Sequence, residues 1–254
     1  MSGAPTKLDV IVVGAGFSGM YLVFKLRALG VDFRVLEQGS DIGGTWYWNR
    51  YPGARCDIPT IEYSYSFDEE LEQNWDWQEL MAGQPEILNY ANHVAQRYDL
   101  RRDIKFNTKV TAAKYQEDAG LWQVSTEAGE RFEARYFIMA TGCLSVPNWP
   151  DIPGREAYDG RVIHTGLWPH EPVDFTGQSV GIIGTGSSAV QAIPEIAQSA
   201  DQLYVFQRTP VYTFPAENHL LDDDFRTDIK SRYADIRMMQ RGSLAGMALY
   251  GVMG

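Results

Sequence analysis

Two glycine-rich turns are the parts of this sequence best suited to bind a phosphate-containing ligand. The first is Gly14-Ala15-Gly16-Phe17-Ser18-Gly19 and the second is Gly184-Thr185-Gly186-Ser187-Ser188-Ala189. Each lies between an apolar run and a helical pattern, where glycines let the backbone approach a pyrophosphate and the helix N-terminus directs N–H groups at it. Two such turns predict two dinucleotide sites. The alternative is that both are structural turns without ligands.

The residue that follows each turn at a fixed distance distinguishes the two sites. Position 37 lies 23 residues after Gly14 and holds Glu37, whose carboxylate can accept hydrogen bonds from a free ribose diol. Gln38 follows it and is expected to belong to the same site. The same count from Gly184 reaches Gln207, which is neutral. The first site is therefore expected to take a cofactor with an unmodified adenosine ribose.

Arg208 and Thr209 come directly after the neutral position. They can bind the 2′-phosphate of NADPH, which a carboxylate would repel. The sequence therefore predicts NADPH at the second site, with Gln191 of the following helix among its contacts. It predicts FAD at the first site, beside a strand that ends in Ala140-Thr141-Gly142. The alternative for Arg208 is a surface charge at a strand end.

The elements that position these residues predict an α/β fold with two Rossmann-like domains, each with a central parallel sheet. Strands are expected at 9–13, 32–36, 179–183 and 202–206, and a small β-meander in the FAD domain at 104–113, 121–126 and 131–140. Helices are expected after both turns, the second kinked at Pro194, and at 85–98 and 216–240. Residues 41–67 are expected to form a long ordered loop, and 242–254 neither a capped helix nor a strand.

A proline-rich connection at Pro147, Pro150 and Pro153 indicates the first domain boundary. The expected domains are 1–146 for the N-terminal part of the FAD-binding domain, 147–177 for the linker and 178–254 for the first part of the NADPH-binding domain. The last stretch has no clear ending, and the chain is expected to be truncated.

The overall charge and composition limit the partners and the compartment. A formal charge of −11 argues against nucleic acid or an anionic membrane as a partner. The two cysteines have no CxxC spacing, which fits a reducing cytoplasm and does not provide the cysteine pair that a disulfide reductase requires. No His/Cys cluster is present, so no metal site is expected. No signal peptide or membrane span is visible, and the protein is expected to be cytoplasmic.

Two further segments resemble the motifs of Baeyer–Villiger monooxygenases. The first is Gly43-Gly44-Thr45-Trp46-Tyr47-Trp48-Asn49-Arg50-Tyr51-Pro52-Gly53-Ala54-Arg55-Cys56-Asp57, and the second runs from Tyr158 to Pro169 with His164, Trp168 and Pro169 at the family positions. Tyr158 replaces the usual phenylalanine. The resemblance covers nearly all of residues 8–215 and is close to the phenylacetone and steroid monooxygenase branch.

This resemblance implies a class B flavoprotein monooxygenase. NADPH reduces FAD, O2 adds to give a C4a-peroxyflavin, and a ketone is converted to an ester or lactone. By their positions in the motif, Gly44, Thr45, Trp46, Tyr47, Trp48, Tyr63 and Val110 match FAD contacts. Arg55, Cys56 and Asp57 match a stretch at the nicotinamide half of NADP+. Asp57 matches an aspartate that orients an active-site arginine, and His164 matches a hinge residue that affects coupling.

In the family that arginine lies further along than residue 254, and residues 216–254 offer no substitute. The chain is therefore expected to be an N-terminal fragment, inactive alone, of an enzyme that is a monomer at full length and acts on a ketone and O2. Two alternatives stay open. One is an N- or S-oxygenating class B enzyme, against which Trp168-Pro169 argues, and the other is a catalytically inert nucleotide-binding fragment. The resemblance does not identify the ketone.

Overall fold

A computed structural model describes residues 4–244 and 246–248, which fall into two compact units. Unit 1 comprises Met1–Arg50 and Leu88–Trp168, and unit 2 comprises Tyr51–Ile87 and Pro169–Gly254. The segment Tyr51–Ile87 thus groups with the later part of the chain, whereas the expected boundaries assign it to the FAD domain. Those boundaries stay a prediction, and residues 249–254 of the expected second domain lie outside the described residues.

Unit 1 is built on a mixed six-stranded sheet. Its strands are β1 (Thr6–Val13), β2 (Phe33–Leu36), β3 (Ile104–Lys105), β4 (Val110–Gln116), β5 (Leu121–Thr126) and β6 (Arg131–Met139). The order is β3-β2-β1-β6-β5-β4. The pairs β3-β2, β2-β1 and β1-β6 are parallel, and the pairs β6-β5 and β5-β4 are antiparallel. Helix α1 (Phe17–Leu29) connects β1 to β2. The expected α/β fold with a mostly parallel central sheet is confirmed.

The expected strand at 104–113 is wrong in its extent. The structure divides it into β3, which extends the parallel part of the sheet, and β4, which begins the antiparallel part. Asn107 separates them with φ +51°, a left-handed conformation that asparagine tolerates and that no strand continues through. The meander therefore comprises β4, β5 and β6, and it is continuous with the parallel sheet because β6 also pairs with β1.

The expected loop at 41–67 is mostly irregular but contains the short helix α2 (Thr45–Trp48). A second short helix, α3 (Glu69–Asn74), follows it. Asp68 caps α3 by accepting a hydrogen bond from the Leu71 N–H at 2.9 Å. Helix α4 (Gln84–Arg97) follows with Pro85 in its first turn, where the missing N–H costs no hydrogen bond.

Unit 2 repeats the strand–turn–helix–strand theme. Strand β7 (Ser179–Ile183) pairs in parallel with β8 (Gln202–Phe206), and α5 (Ser187–Ala197) connects them. Both strands match the expected ranges. The helix continues past Pro194 to Ala197.

The single polar helix expected from Ala216 to Gln240 is wrong. Two helices form instead, α6 (Asp223–Ser231) and α7 (Tyr233–Gly242). The first begins late because Asp222 caps it, accepting from the Phe225 N–H at 2.7 Å. The break falls at Arg232, whose backbone (φ −114°, ψ 8°) leaves the helical region.

A buried ion pair joins α7 to the segment that contains α3. The Arg237 guanidinium donates to Glu72 at 2.6 Å and to the Ser64 hydroxyl at 2.9 Å. The two charged side chains are only 7% and 9% exposed. Ile61, Ile229, Tyr233 and Ile236 form the adjacent apolar cluster. Burial raises the pKa of Tyr233 to about 12, so its hydroxyl is neutral at neutral pH.

Within the described residues, no helix combines the length and apolar character needed to cross a membrane. Over the same residues, no group of three or more His, Cys, Asp or Glu side chains is placed to hold a metal ion.

Substituting Glu72→Ala should destabilise the protein strongly. The change leaves the buried Arg237 charge without its carboxylate, so we expect the free energy of unfolding to fall by about 3–5 kcal/mol in denaturant titrations. The control is Glu127→Ala, which removes the exposed ion pair with Lys109 and should cost less than about 1 kcal/mol. Equal losses for the two variants would contradict the role of the buried pair.

Candidate nucleotide sites

The two glycine turns have the same backbone geometry. Gly14 and Gly184 both have φ +104°. The residues that precede the first helical turns are also alike, with Gly16 at φ −75°, ψ −168° and Gly186 at φ −73°, ψ −178°. Neither α1 nor α5 shows a side-chain cap among the described residues. Their first N–H groups are therefore available to an anion, which is the arrangement that binds phosphate.

Glu37 brings a carboxylate to the first turn. Its side chain is buried at 5% exposure, and its two oxygens accept hydrogen bonds from the N–H groups of Ala15 and Gly39, both at 2.7 Å. Each carboxylate oxygen has a further lone pair that a ribose hydroxyl could use. The neighbouring Gln38 is exposed. The arrangement fits a nucleotide with a free ribose diol.

The Gly43-Gly44 segment packs directly on the first turn. The Gly43 N–H donates to the Ala15 carbonyl at 3.0 Å. A Cβ on Gly44, which has φ +53°, would lie 2.7 Å from the Gly16 Cα, so no larger residue fits without displacing the turn. Helix α2 starts there, with Trp46 and Tyr47 buried and Thr45 and Trp48 half-buried. The segment Thr45–Trp48, which contains three aromatic residues, is thereby fixed beside the turn.

Two other strand ends reach the same place in unit 1. Ala140 donates its N–H to the Val13 carbonyl at 2.8 Å, which sets Ala140-Thr141-Gly142 beside the first turn. The Thr108 N–H donates to the Glu37 carbonyl at 2.8 Å, and the half-buried Val110 follows two residues later.

His164 is placed as a turn residue of unit 1. Its Nδ1 accepts a hydrogen bond from the Gly166 N–H at 3.0 Å, which caps the 3-10 turn Thr165–Leu167. The ring meets Trp149 edge to face, with centroids 5.0 Å apart. An Nδ1 that accepts from a backbone N–H carries no proton, so a neutral ring has its proton on Nε2.

Gln207 contacts the second turn from the position that Glu37 occupies relative to the first. The Gln207 amide donates to the Thr185 hydroxyl at 2.8 Å. Ser187, Ser188 and Ala189 form the first turn of α5, and Arg208 and Thr209 are exposed after β8. No carboxylate takes part in this contact, and the exposed Arg208 follows Gln207 directly.

The segment from Tyr51 to Asp57 lies against α5 within unit 2. Gln191 connects them: its amide nitrogen donates to the Arg55 carbonyl at 3.1 Å and to an Asp57 carboxylate oxygen at 2.9 Å. Arg55 also pairs with Glu79 at 3.0 Å. Asp57 is exposed and Cys56 is buried. Burial raises the pKa of the Cys56 thiol, so it is protonated at neutral pH.

The structure thus brings together most of the expected residues, in two groups. In unit 1 the first turn lies beside Glu37, Gly44 and Ala140. In unit 2 the second turn leads into the helix that contacts Arg55–Asp57 through Gln191. Tyr63 also lies in unit 2, where it is half-buried and donates its N–H to the Pro59 carbonyl at 3.1 Å. Sequence reasoning missed Tyr51, although its place before Pro52-Gly53 in the motif was a signal. It also missed the contacts of Gln191 with Arg55 and Asp57, because no pattern in the sequence near either end of these contacts indicates them.

Comparison with known proteins gives one family and several similar structures. Residues 11–241 match the family described as pyridine nucleotide-disulphide oxidoreductase. A Baeyer-Villiger monooxygenase of Pseudooceanicola batsensis is 47% identical, over 90% of this chain and 42% of that protein. A phenazine N-monooxygenase of Lysobacter antibioticus is 41% identical, over 91% of this chain and 43% of that protein.

Two solved structures are also closely similar. A steroid monooxygenase bound to NADP has a TM-score of 0.91 and 51% identity, covering 96% of this chain and 46% of that one. OTEMO in complex with FAD and NADP has a TM-score of 0.91 and 40% identity, covering 96% and 47%. The resemblance to Baeyer–Villiger monooxygenases is confirmed. The chain spans less than half the length of each of these proteins.

Gly186→Ala should separate nucleotide binding from folding. An added Cβ meets no atom within 4 Å and the backbone φ is ordinary, so the melting temperature should stay unchanged. A methyl group between the turn and a pyrophosphate should weaken NADPH binding by about tenfold or more, measured by titration. Gly242→Ala, which also meets nothing within 4 Å, is the matched control and should leave binding intact. Wild-type NADPH affinity in Gly186→Ala would contradict a phosphate-binding role.

Proposed function

Because this chain belongs to the pyridine nucleotide-disulphide oxidoreductase family, we propose that it forms the N-terminal, cofactor-binding part of an FAD- and NADPH-dependent monooxygenase. The full-length enzyme converts a ketone, O2, NADPH and a proton into an ester or lactone, water and NADP+. One observation carries this proposal. Two glycine turns of equal geometry are held by different side chains, the carboxylate of Glu37 and the neutral amide of Gln207.

FAD fits the first site. The open N-terminus of α1 suits its pyrophosphate, and the buried carboxylate of Glu37 suits its ribose diol. When bound, the flavin supplies the redox and oxygen-transfer chemistry of the reaction. The chain's own residues bind and orient it, and we propose this set from unit 1: Gly14, Gly16, Phe17, Ser18, Gly19, Glu37, Gln38, Gly44, Thr45, Trp46, Tyr47, Trp48, Val110, Ala140, Thr141 and Gly142.

NADPH fits the second site. Gly186 has open space where a Cβ would be, so the backbone can approach a pyrophosphate. Arg208 and Thr209 are exposed one and two residues beyond the side chain that holds the turn. We propose that they bind the 2′-phosphate and that these residues of unit 2 contact the rest of the nucleotide: Gly184, Thr185, Gly186, Ser187, Ser188, Ala189, Arg55, Cys56 and Asp57.

Asp57 is the residue of this chain that we propose to act in the reaction itself. Its carboxylate is exposed, and its described hydrogen bond, to Gln191, uses one oxygen. The other oxygen can accept from an arginine of the remaining chain and so orient it, as the resemblance implies. The resemblance implies that this arginine belongs to a part of the enzyme beyond residue 254, and we propose that the chain alone does not complete the reaction. His164 has a turn-capping role in the structure, and we propose that it affects coupling only.

N-oxygenation is the second candidate function. It is supported by the phenazine N-monooxygenase that is 41% identical to this chain. The sequence feature that favours ketone oxygenation is Trp168-Pro169 in the linker. The two functions are distinguished by products: with 18O-labelled O2, a ketone substrate should give an ester carrying one labelled oxygen. An N-oxide from a heteroaromatic amine, with no ester from any ketone, would favour the second candidate.

Asp57→Ala should break the link between NADPH oxidation and oxygenation in the full-length enzyme. The proposed FAD site lies in unit 1 and does not include Asp57, so bound FAD should be unchanged. Ester formation should fall by about 100-fold or more, because the group that orients the arginine is lost, while hydrogen peroxide per NADPH should rise. Ester yield and peroxide are measured together. If Asp57→Ala formed ester at the wild-type rate, the proposed role would be wrong.

Arg208→Ala should change the choice between the two nicotinamide cofactors. Loss of a charge-assisted hydrogen bond to the 2′-phosphate should raise the KM for NADPH by about tenfold or more and leave that for NADH within about twofold. Steady-state kinetics with both cofactors provide the measurement. The control is Arg135→Ala, which replaces an exposed arginine in β6 of unit 1 and should change the KM for neither cofactor. Equal increases in the KM for NADPH and the KM for NADH would argue against the assignment.

A further inference from the structure

Gln191 stands out because its side-chain amide is fully occupied by one loop of unit 2. Its nitrogen donates to the Arg55 carbonyl and the Asp57 carboxylate, at 3.1 and 2.9 Å. Its oxygen accepts from the Tyr51 hydroxyl at 2.8 Å and from the Arg55 N–H at 3.3 Å. A primary amide has two donor and two acceptor positions, and all four are used on residues 51–57.

The backbone of the same loop lies directly on α5. Gly53 has φ +76°, and a Cβ there would fall 2.3 Å from the Gln191 carbonyl oxygen. The loop therefore approaches the helix as closely as a glycine permits. Tyr51 is buried, and the Ser188 side chain in the first turn of α5 lies close enough to its hydroxyl to lower the pKa of Tyr51 in part. Burial and the nearby Asp57 charge raise the pKa of Tyr51, so it remains a neutral donor.

These contacts connect the phosphate end of α5 to Asp57. Ser188 lies in the helical turn at which we propose NADPH binds, and Gln191 lies three residues later on the same helix. Asp57 is exposed, and the amide of Gln191 donates a hydrogen bond to one oxygen of its carboxylate. We propose that Gln191 is a positioning residue, which holds loop 51–57 on the nucleotide helix and sets the orientation of Asp57. The effect on catalysis rests on the proposed function, whereas the contact itself does not.

A positioning residue and a residue that contacts the nucleotide directly affect different kinetic constants. A residue that only binds NADPH affects the KM for NADPH and leaves kcat unchanged. A residue that positions Asp57 lowers kcat and the share of NADPH that ends in ester. Gln191→Glu is the sharpest probe, because glutamate has the same size yet has no amide donor and places a negative charge against Asp57.

The contact is tested first, by thermal unfolding of the full-length protein as a double-mutant cycle. Gln191→Glu should lower the melting temperature by about 2–4 °C or more. Adding Asp57→Asn, whose amide can donate to the new carboxylate, should recover at least about half of that loss. Gln202→Glu makes the same charge change at the exposed start of β8 and should show no such coupling. Additive effects of the two substitutions would overturn the contact, whatever the enzyme oxidises.

The role is then tested by kinetics of Gln191→Glu in the same full-length enzyme. We expect kcat for ester formation to fall by about 100-fold, peroxide per NADPH to rise, and the KM for NADPH to change by less than about threefold. Gln202→Glu should behave as wild type. A raised KM with an unchanged kcat would overturn positioning in favour of nucleotide contact. A wild-type protein that forms no ester would remove the proposed function but leave the result of the thermal cycle standing.

Discussion

The contacts of Glu37 hold together the segments of the proposed FAD site. Its carboxylate bonds to Ala15 in the glycine turn and to Gly39 in the following loop. Its backbone N–H donates to the Lys105 carbonyl, and its carbonyl accepts from the Thr108 N–H. A buried charge is stable only when hydrogen bonds replace its lost hydration, and here two backbone donors do so. One residue thereby fixes the turn, the end of β2 and the β3–β4 connection.

In unit 2 a residue at the same sequence separation contacts the glycine turn, but through a weaker hydrogen bond. Glu37 and Gln207 each lie 22 residues after the residue they hold, Ala15 and Thr185. The neutral amide contact is exposed, so it contributes less stability than the buried carboxylate. It also places no negative charge near Arg208. A carboxylate there would oppose a 2′-phosphate, so the neutral residue suits the proposed NADPH site at a modest loss of rigidity.

Local patterns predicted the two strand–turn–helix–strand units well, because apolar runs, glycine turns and the Pro85 helix start act over a few residues. Contacts between distant residues escaped prediction. Nothing near Asp57 points to Gln191, and nothing in 51–87 shows that this segment packs with the later part of the chain. The break at Arg232 was also missed, because helix periodicity continues across a single non-helical residue.

The sheet of unit 2 explains why the proposed activity belongs to a longer protein. Parallel strands usually have both faces covered, yet Ile183, Tyr204 and Phe206 are 67%, 53% and 58% exposed. Two strands alone bury too little apolar surface to be stable by themselves. Further strands or helices must therefore cover these faces before the second glycine turn is held firmly. The NADPH affinity that we propose for this turn depends on that cover, because binding to a loosely held site includes the cost of ordering it.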